Sequence, residues 1–129
     1  MALPYVIDAT QRVAFVTMSG RITGAAIGHT VSAIYRDPDW HSGFDVVWDG
    51  SLISELLLES DDFRRGVALQ RSFGELAGGG HDIIITTRAI DEAAAQMYVV
   101  LVKRVRPTFL VRSQPEAAAL LGHHDTKRA

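Results

Sequence analysis

Residues 5–20 read YVIDATQRVAFVTMSG, and this stretch decides the fold. Two runs rich in β-branched and apolar residues, 5–8 and 13–19, are separated only by Ala9-Thr10-Gln11-Arg12, which is too short for a helix. Strands joined this closely pair as an antiparallel hairpin, because a parallel partner requires a long crossover. Gly20 is predicted to end the second strand. We therefore expect a sheet that opens with one antiparallel strand.

After the hairpin, segments of helical and strand character alternate. Thr23 stands at the N-cap of a helix with Ile27, Val31 and Ile34 on one face, and Pro38 follows its end. Further strands are predicted at 44–48, 83–87 and 108–112, and further helices at 60–77, 90–105 and 113–121. This order predicts an α/β fold: a mixed, mostly parallel sheet of about five strands with about four helices.

Length and charge restrict the class of protein. A chain of 129 residues has the size of one domain, which we place at residues 1–122, with residues 123–129 as a flexible tail. A net charge of -2 argues against nucleic acid as a partner. The basic residues Lys103, Arg104 and Arg106 are interpreted as favouring the negative end of the third helix.

Three features of the sequence predict a cytoplasmic protein. Cysteine is absent, which excludes disulfides and thiolate chemistry. The first residues lack the basic and apolar regions of a secretory signal. No apolar run approaches the roughly 18 residues that indicate a membrane span.

The element order resembles that of a known family. The opening hairpin, Gly20 followed by Arg21-Ile22-Thr23 and a helix, and the strand Phe44-Asp45-Val46-Val47-Trp48-Asp49 are similar to SpoIIAA-like proteins, relatives of the STAS (anti-sigma-factor antagonist) domain. The resemblance covers roughly residues 3–122. It implies a regulatory or ligand-sensing module, often without enzymatic activity.

Phosphorylatable members of that family resemble one another in an Asp-Ser-Ser-Gly motif before the helix that follows the third strand. This sequence has Glu59-Ser60-Asp61-Asp62 there, so a phosphate on Ser60 would meet two carboxylates. We therefore interpret Ser60 as the N-cap of the second helix rather than as a phosphorylation site.

Other candidate chemistry is weak. Asp49 with Asp8, Thr86 and Thr87 imitates the phosphoacceptor site of a receiver domain, but the last strand ends in Arg112 where that family has lysine. The triplet Gly78-Gly79-Gly80 follows a helix, whereas a phosphate-binding loop precedes one. The five histidines have no metal-ligand spacing. We predict no enzyme, no metal and no cofactor.

The connection from Gly50 to Glu59 is unusual. It is predicted to be a loop, although strand-to-helix loops usually have about 2–6 residues, and it contains Leu52, Leu56 and Leu57. Because it follows the carboxyl end of a parallel strand, it lies where ligands bind in open α/β sheets. It is interpreted either as a satellite core over the sheet edge or as a functional lid.

The third helix is apolar nearly all round. Between Ala93 and Val102 only Gln96 is strongly polar, and a small domain rarely covers such a helix by itself. We predict a homodimer whose interface includes this helix, unless the 52–58 segment covers it within one chain.

Two function classes remain open. The first is a non-enzymatic regulatory or protein-interaction module, and the second is a carrier or sensor of a small apolar ligand held between the 50–59 loop and the third helix. The predicted ligand-binding residues are Trp48, Leu52, Leu56, Leu57, Met97, Tyr98 and Leu101.

Overall fold

The structure is a computed structural model that describes the backbone of residues 2–128 and the side chains of residues 2–121. Its elements confirm the predicted α/β class. In chain order they are β1 (Tyr5–Asp8), β2 (Val13–Thr23), α1 (Gly24–Arg36), β3 (Asp45–Leu57), α2 (Ser60–Ser72), β4 (Asp82–Ile85), α3 (Ala89–Val102), β5 (Thr108–Val111) and α4 (Gln114–Arg128). A short 3-10 turn, Gly74–Leu76, follows α2.

The five strands form one sheet in the order β1-β2-β3-β4-β5. As predicted, β1 pairs antiparallel with β2 and the other neighbours are parallel. The crossovers β2-α1-β3, β3-α2-β4 and β4-α3-β5 all step to the next strand in the same direction across the sheet. Because parallel crossovers are right-handed, α1, α2 and α3 lie on the same face of the sheet. Accordingly α1 contacts α2 and α2 contacts α3, while α4 packs on the opposite face.

Each face of the sheet has its own core. The larger core lies under α1, α2 and α3, and it includes Val16, Val46 and Trp48 from the central strands with Ile34 and Tyr35 from α1. The smaller core lies under α4 and includes Val13, Val47, Ile83, Ile85 and Ala117. Alternate residues of β3 therefore enter different cores, as the period of a strand requires.

The prediction of a loop at residues 50–59 is wrong. β3 continues through this segment to Leu57, and β2 continues beyond Gly20 to Thr23. The two strands remain paired in parallel as far as Thr23 opposite Leu57, with register shifts between Thr17 and Ser19 and between Gly20 and Arg21. Gly20 has a φ of +74°, which glycine adopts without strain, so it bends β2 instead of ending it. We call residues 19–23 and 52–57 the two-stranded extension.

Helix boundaries differ from the sequence predictions at several ends. Thr23 caps α1 as predicted, and its Oγ1 accepts a hydrogen bond from the Ala26 amide at 3.1 Å. The N-cap of α2 is Glu59 rather than Ser60, because Glu59 and Asp62 satisfy each other's backbone amides in a reciprocal capping box.

The fourth helix also differs from its prediction. Ser113 Oγ accepts a hydrogen bond from the Glu116 amide at 3.3 Å, and the Glu116 carboxylate accepts one from the Arg112 amide at 2.8 Å. α4 continues to Arg128, past the predicted end at Gly122. The side chains of the predicted tail, residues 123–129, lie outside the described residues. The flexibility of this tail therefore stays a prediction.

Candidate functional site

A cavity of about 540 Å³ lies between the sheet and the three helices α1, α2 and α3. Small residues on the helices leave this space open: Gly24 and Gly28 on α1, Gly66 on α2, and Ala94 and Ala95 on α3. The close spacing is visible at position 66, where a Cβ atom would lie 3.1 Å from Cε1 of Tyr98. Larger side chains on the helices would occupy the space that is now the cavity.

Most of the cavity wall is apolar. Met18, Trp48 and Ile84 come from the central strands, and Ile53 and Leu56 come from the two-stranded extension. The helices supply Ile27, Val31, Phe63 and Leu69. A wall of this composition favours an apolar occupant, since apolar surface gains free energy on leaving water.

A buried polar network forms one end of the cavity. Asp82, at the start of β4, lies 2.9 Å from Arg106 Nε. Tyr35 donates a hydrogen bond to Gln70 Oε1 at 2.7 Å, and Gln70 also bonds to Tyr98. Burial raises the pKa of both tyrosines, so their hydroxyl groups stay protonated at neutral pH. The members of this network satisfy one another.

Arg106 anchors this end of the sheet. It is completely buried, and its guanidinium donates to the carbonyl oxygens of Ala77, Phe44 (2.9 Å) and His81 (3.1 Å) as well as to Asp82. The sequence interpretation of Arg106 as a helix-end cation is therefore wrong, because this side chain enters the core. Burial raises the pKa of Asp82, although Arg106 and the Trp48 side chain act against that rise.

The other end of the cavity lies at the carboxyl edge of β4. Thr86 follows β4 directly and is 4% exposed, and its Oγ1 has no hydrogen-bond partner. Nearby, Arg88 forms an ion pair with Asp91 at 2.9 Å and donates to the Ser54 carbonyl oxygen in the two-stranded extension. Arg88 thus ties the extension to the start of α3. Thr86 belongs to the cavity wall, and its Oγ1 is buried behind that wall without a hydrogen-bond partner.

The predicted ligand-binding residues fall into two groups. Trp48, Leu56 and Tyr98 line the cavity. The remaining predicted residues do not belong to its wall and are exposed on the surface: Leu52, Leu57, Met97 and Leu101. The split within β3 follows from a bulge, because Gly20 pairs with Ile53 and Arg21 with Glu55, so that Ser54 is an extra residue in β3. Ile53 and Leu56 therefore both line the cavity, whereas Leu52 and Leu57 are exposed.

Sequence reasoning missed most of the helical wall. Gly24 and Gly28 are four residues apart and therefore share one face of α1, a spacing that the sequence displays. Nothing in the sequence indicated that Gly66 or Phe63 would face the same space. Thr86 was noticed, but for a receiver-type site that the structure does not assemble.

Asp49 and Ser60 take structural positions. Asp49 accepts hydrogen bonds from the Ser51 amide at 3.0 Å and from Gln114 Nε2 at 2.8 Å. Burial acts to raise the pKa of Asp49, but these hydrogen bonds prevail and lower it. Asp8 pairs with Val13 at the opposite edge of the sheet, so it does not approach Asp49. Ser60 is exposed in the first turn of α2.

Metal-binding clusters and membrane-spanning helices are both absent from the described part of the chain. Within it, no group of three or more His, Cys, Asp and Glu side chains is placed to hold a metal ion. No helix there has the length and apolar character needed to cross a membrane.

No family model matches the chain, and a search of curated proteins gives no significant match. Fold and site therefore define the molecule as an α/β domain with a mixed five-stranded sheet and an apolar cavity under one layer of helices.

Proposed function

We propose that this protein is a non-enzymatic carrier or sensor of a small, largely apolar molecule. The observation that carries the proposal is the cavity between the sheet and α1, α2 and α3. Its volume of about 540 Å³ falls within the roughly 300–1,000 Å³ of small-molecule sites. Protein interiors are otherwise closely packed, so a concave apolar space of this size between the helices and the sheet is unusual. The cavity also fits the ligand-sensing module implied by the resemblance to SpoIIAA-like and STAS domains.

A cavity-filling variant tests this function. Gly28 lines the cavity, and a Cβ atom there would be 3.8 Å from Leu69 Cδ2, an ordinary contact. Gly28→Leu places a side chain in the binding space while improving helix propensity. The variant should keep its fold and lose binding of the neutral fluorescent probe N-phenyl-naphthylamine. Ala118→Leu, an exposed change on α4 at the opposite face, is the matched control and should bind like wild type.

Fluorescence titration and native mass spectrometry measure the result. Wild-type protein should bind the probe and carry co-purifying mass above the 14.1 kDa chain. If Gly28→Leu binds the probe as tightly as wild type, the cavity is not the binding site and the proposal fails.

A second candidate, self-association, is favoured by the surface of α3. Ile90, Met97, Val100 and Leu101 form an apolar strip that the two-stranded extension leaves uncovered, with Met97 55% and Val100 57% exposed. We propose the homodimer through this α3 strip as a separate property, since an isologous contact needs one self-complementary surface.

Val100→Glu tests the dimer. A carboxylate in a desolvated interface is strongly unfavourable, but at an exposed position of a monomer it is tolerated. The variant should stay folded and elute later than wild type in size-exclusion chromatography with light scattering. Ala118→Glu, at an exposed position of α4 on the opposite face of the sheet, should elute like wild type. A wild-type mass of one chain would contradict the dimer.

A further inference from the structure

We infer that the molecule held in the cavity is electrically neutral and carries a single hydrogen-bonding group, a hydroxyl or a carbonyl, that binds Thr86. This inference rests on the proposed function and specifies its ligand class.

The charges of the cavity wall are already paired. Three carboxylates reach the wall, and each has an arginine partner: Asp62 with Arg65 at 2.8 Å, Asp82 with Arg106 at 2.9 Å, and Asp91 with Arg88 at 3.0 Å. Arg88 Nε and Asp91 Oδ2 face each other at 2.9 Å as an ion pair without hydrogen-bond geometry. An ionic ligand would lose its hydration without gaining a counter-ion, and burial of an unpaired charge is strongly unfavourable. An anion would also be repelled by the three carboxylates. The cavity therefore selects against charged headgroups.

The polar network at the Asp82 end offers nothing to a ligand. Asp82 is engaged by Arg106, and the Gln70 carbonyl accepts from Tyr35. A ligand group placed there would meet polar groups that already have partners, so it would not relieve an unpaired polar atom. The polar group of the ligand therefore belongs at the other end of the cavity.

Thr86 supplies that other end. Its backbone amide donates to the Val111 carbonyl at 3.0 Å, but its buried hydroxyl has no partner. A hydroxyl can donate and accept, and rotation about χ1 exchanges Oγ1 with the methyl group at the wall. A buried polar atom without a hydrogen bond is an expensive exception, which a ligand hydroxyl or carbonyl would remove.

The distance between the two polar ends sets the shape of the ligand. Asp82 and Thr86 are four residues apart along one strand, which corresponds to roughly 13 Å. Ile84 lies between them on the same face. A medium-length alkyl chain or a comparable ring system with one terminal polar group matches this length.

A probe series with one chain and three headgroups tests the charge selection. Decanol, decanoate and decylamine are titrated separately at neutral pH against the wild-type protein preloaded with N-phenyl-naphthylamine. Decanol should displace the probe with at least about tenfold higher affinity than either ion, because only the ions lose charge hydration. If decanoate or decylamine competes as well as decanol, the inference is wrong while the carrier function stands. If the fluorescent probe itself does not bind, the proposed function fails and the inference fails with it.

Thr86→Val tests the hydrogen bond. Valine keeps the shape of threonine and removes the hydroxyl, so decanol affinity should fall about three- to tenfold while probe affinity stays the same. Thr108→Val is the matched control, since Thr108 is also a buried threonine but does not belong to the cavity wall. Unchanged decanol affinity in Thr86→Val would overturn the role assigned to Thr86.

Discussion

Replacing Arg106 by methionine should destabilise this domain more than any surface change. Methionine keeps much of the apolar volume, but it leaves Asp82 without its counter-charge and removes the donor to the carbonyl oxygens of Ala77, Phe44 and His81. Breaking a buried ion pair by removing one partner costs about 3–5 kcal/mol. Because domains of this size are stable by only about 5–15 kcal/mol, much of the free energy of unfolding would be lost.

Urea denaturation followed by circular dichroism measures this loss. Arg112→Met is the matched control, since Arg112 is exposed and pairs with Glu92 at 3.2 Å on the surface. Such a pair contributes about 0–1 kcal/mol. The double variant Arg106→Met/Asp82→Asn should recover part of the stability, because it no longer buries an unpaired carboxylate. A loss below about 1 kcal/mol for Arg106→Met would refute the reasoning.

The pH dependence gives a second test of the same pair. Burial raises the pKa of Asp82, and Arg106 is the largest influence opposing that rise. Without Arg106 the folded-state pKa should rise further above the value of about 3.9 of an unfolded aspartate. The folded variant then holds this proton more tightly than the unfolded chain does, so the part of its deficit that comes from Asp82 ionisation is absent below the unfolded pKa. That part grows as pH rises from the unfolded pKa to the folded pKa. The stability gap to wild type should shrink from pH 7 toward about pH 4, and Asp82→Asn should abolish that change.

Two further predictions concern single side chains. In ligand-free protein, Thr86→Val should raise the free energy of unfolding by about 1 kcal/mol, because it removes a buried hydroxyl that has no partner. Thr30→Val should lower the free energy of unfolding by about 1–3 kcal/mol. The reason is that Thr30 Oγ1 accepts a hydrogen bond from the Leu3 amide and donates one to the Ala26 carbonyl oxygen. Equal urea midpoints for the two variants would contradict this. Ser60→Ala should change the melting temperature little, while Asp62→Ala should cost about 0.5–2 kcal/mol by removing half of the capping box. The Glu59 amide and Arg65 lower the pKa of Asp62, so its contribution should be present above the unfolded pKa and disappear as pH falls through the folded pKa.

Local signals were sufficient for the order of elements. The short connection 9–12 required a hairpin, and Thr23 marked the first helix because an N-cap depends only on its neighbours. The same reasoning failed at the second helix. Ser60 is a better cap residue by type than Glu59, but the carboxylate of Asp62 reaches the Glu59 amide at 2.8 Å and fixes the cap one residue earlier.

Pairing between distant strands decided the largest difference. Residues 50–57 carry no regular alternation that marks a strand, and Gly20 read as the end of β2. In the structure, residues 19–23 of β2 pair with residues 52–57 of β3. Each segment is a strand because of the other, so neither can be recognised as a strand from its own sequence. This pairing turns Leu52, Leu56 and Leu57 of the predicted lid into strand residues, of which Leu56 faces the cavity.

The sequence by itself determined the α/β class, the opening hairpin and the apolar character of α3, because hydrophobic period, turns and caps act over a few residues. Tertiary structure decided the cavity and its chemistry. Small residues on three separate helices converge on one space, Arg106 enters the core to meet a carboxylate from another strand, and Thr86 is left without a partner. These contacts join residues far apart in the chain, and only their common position on a packed sheet determines which groups are satisfied and which remain available to a ligand.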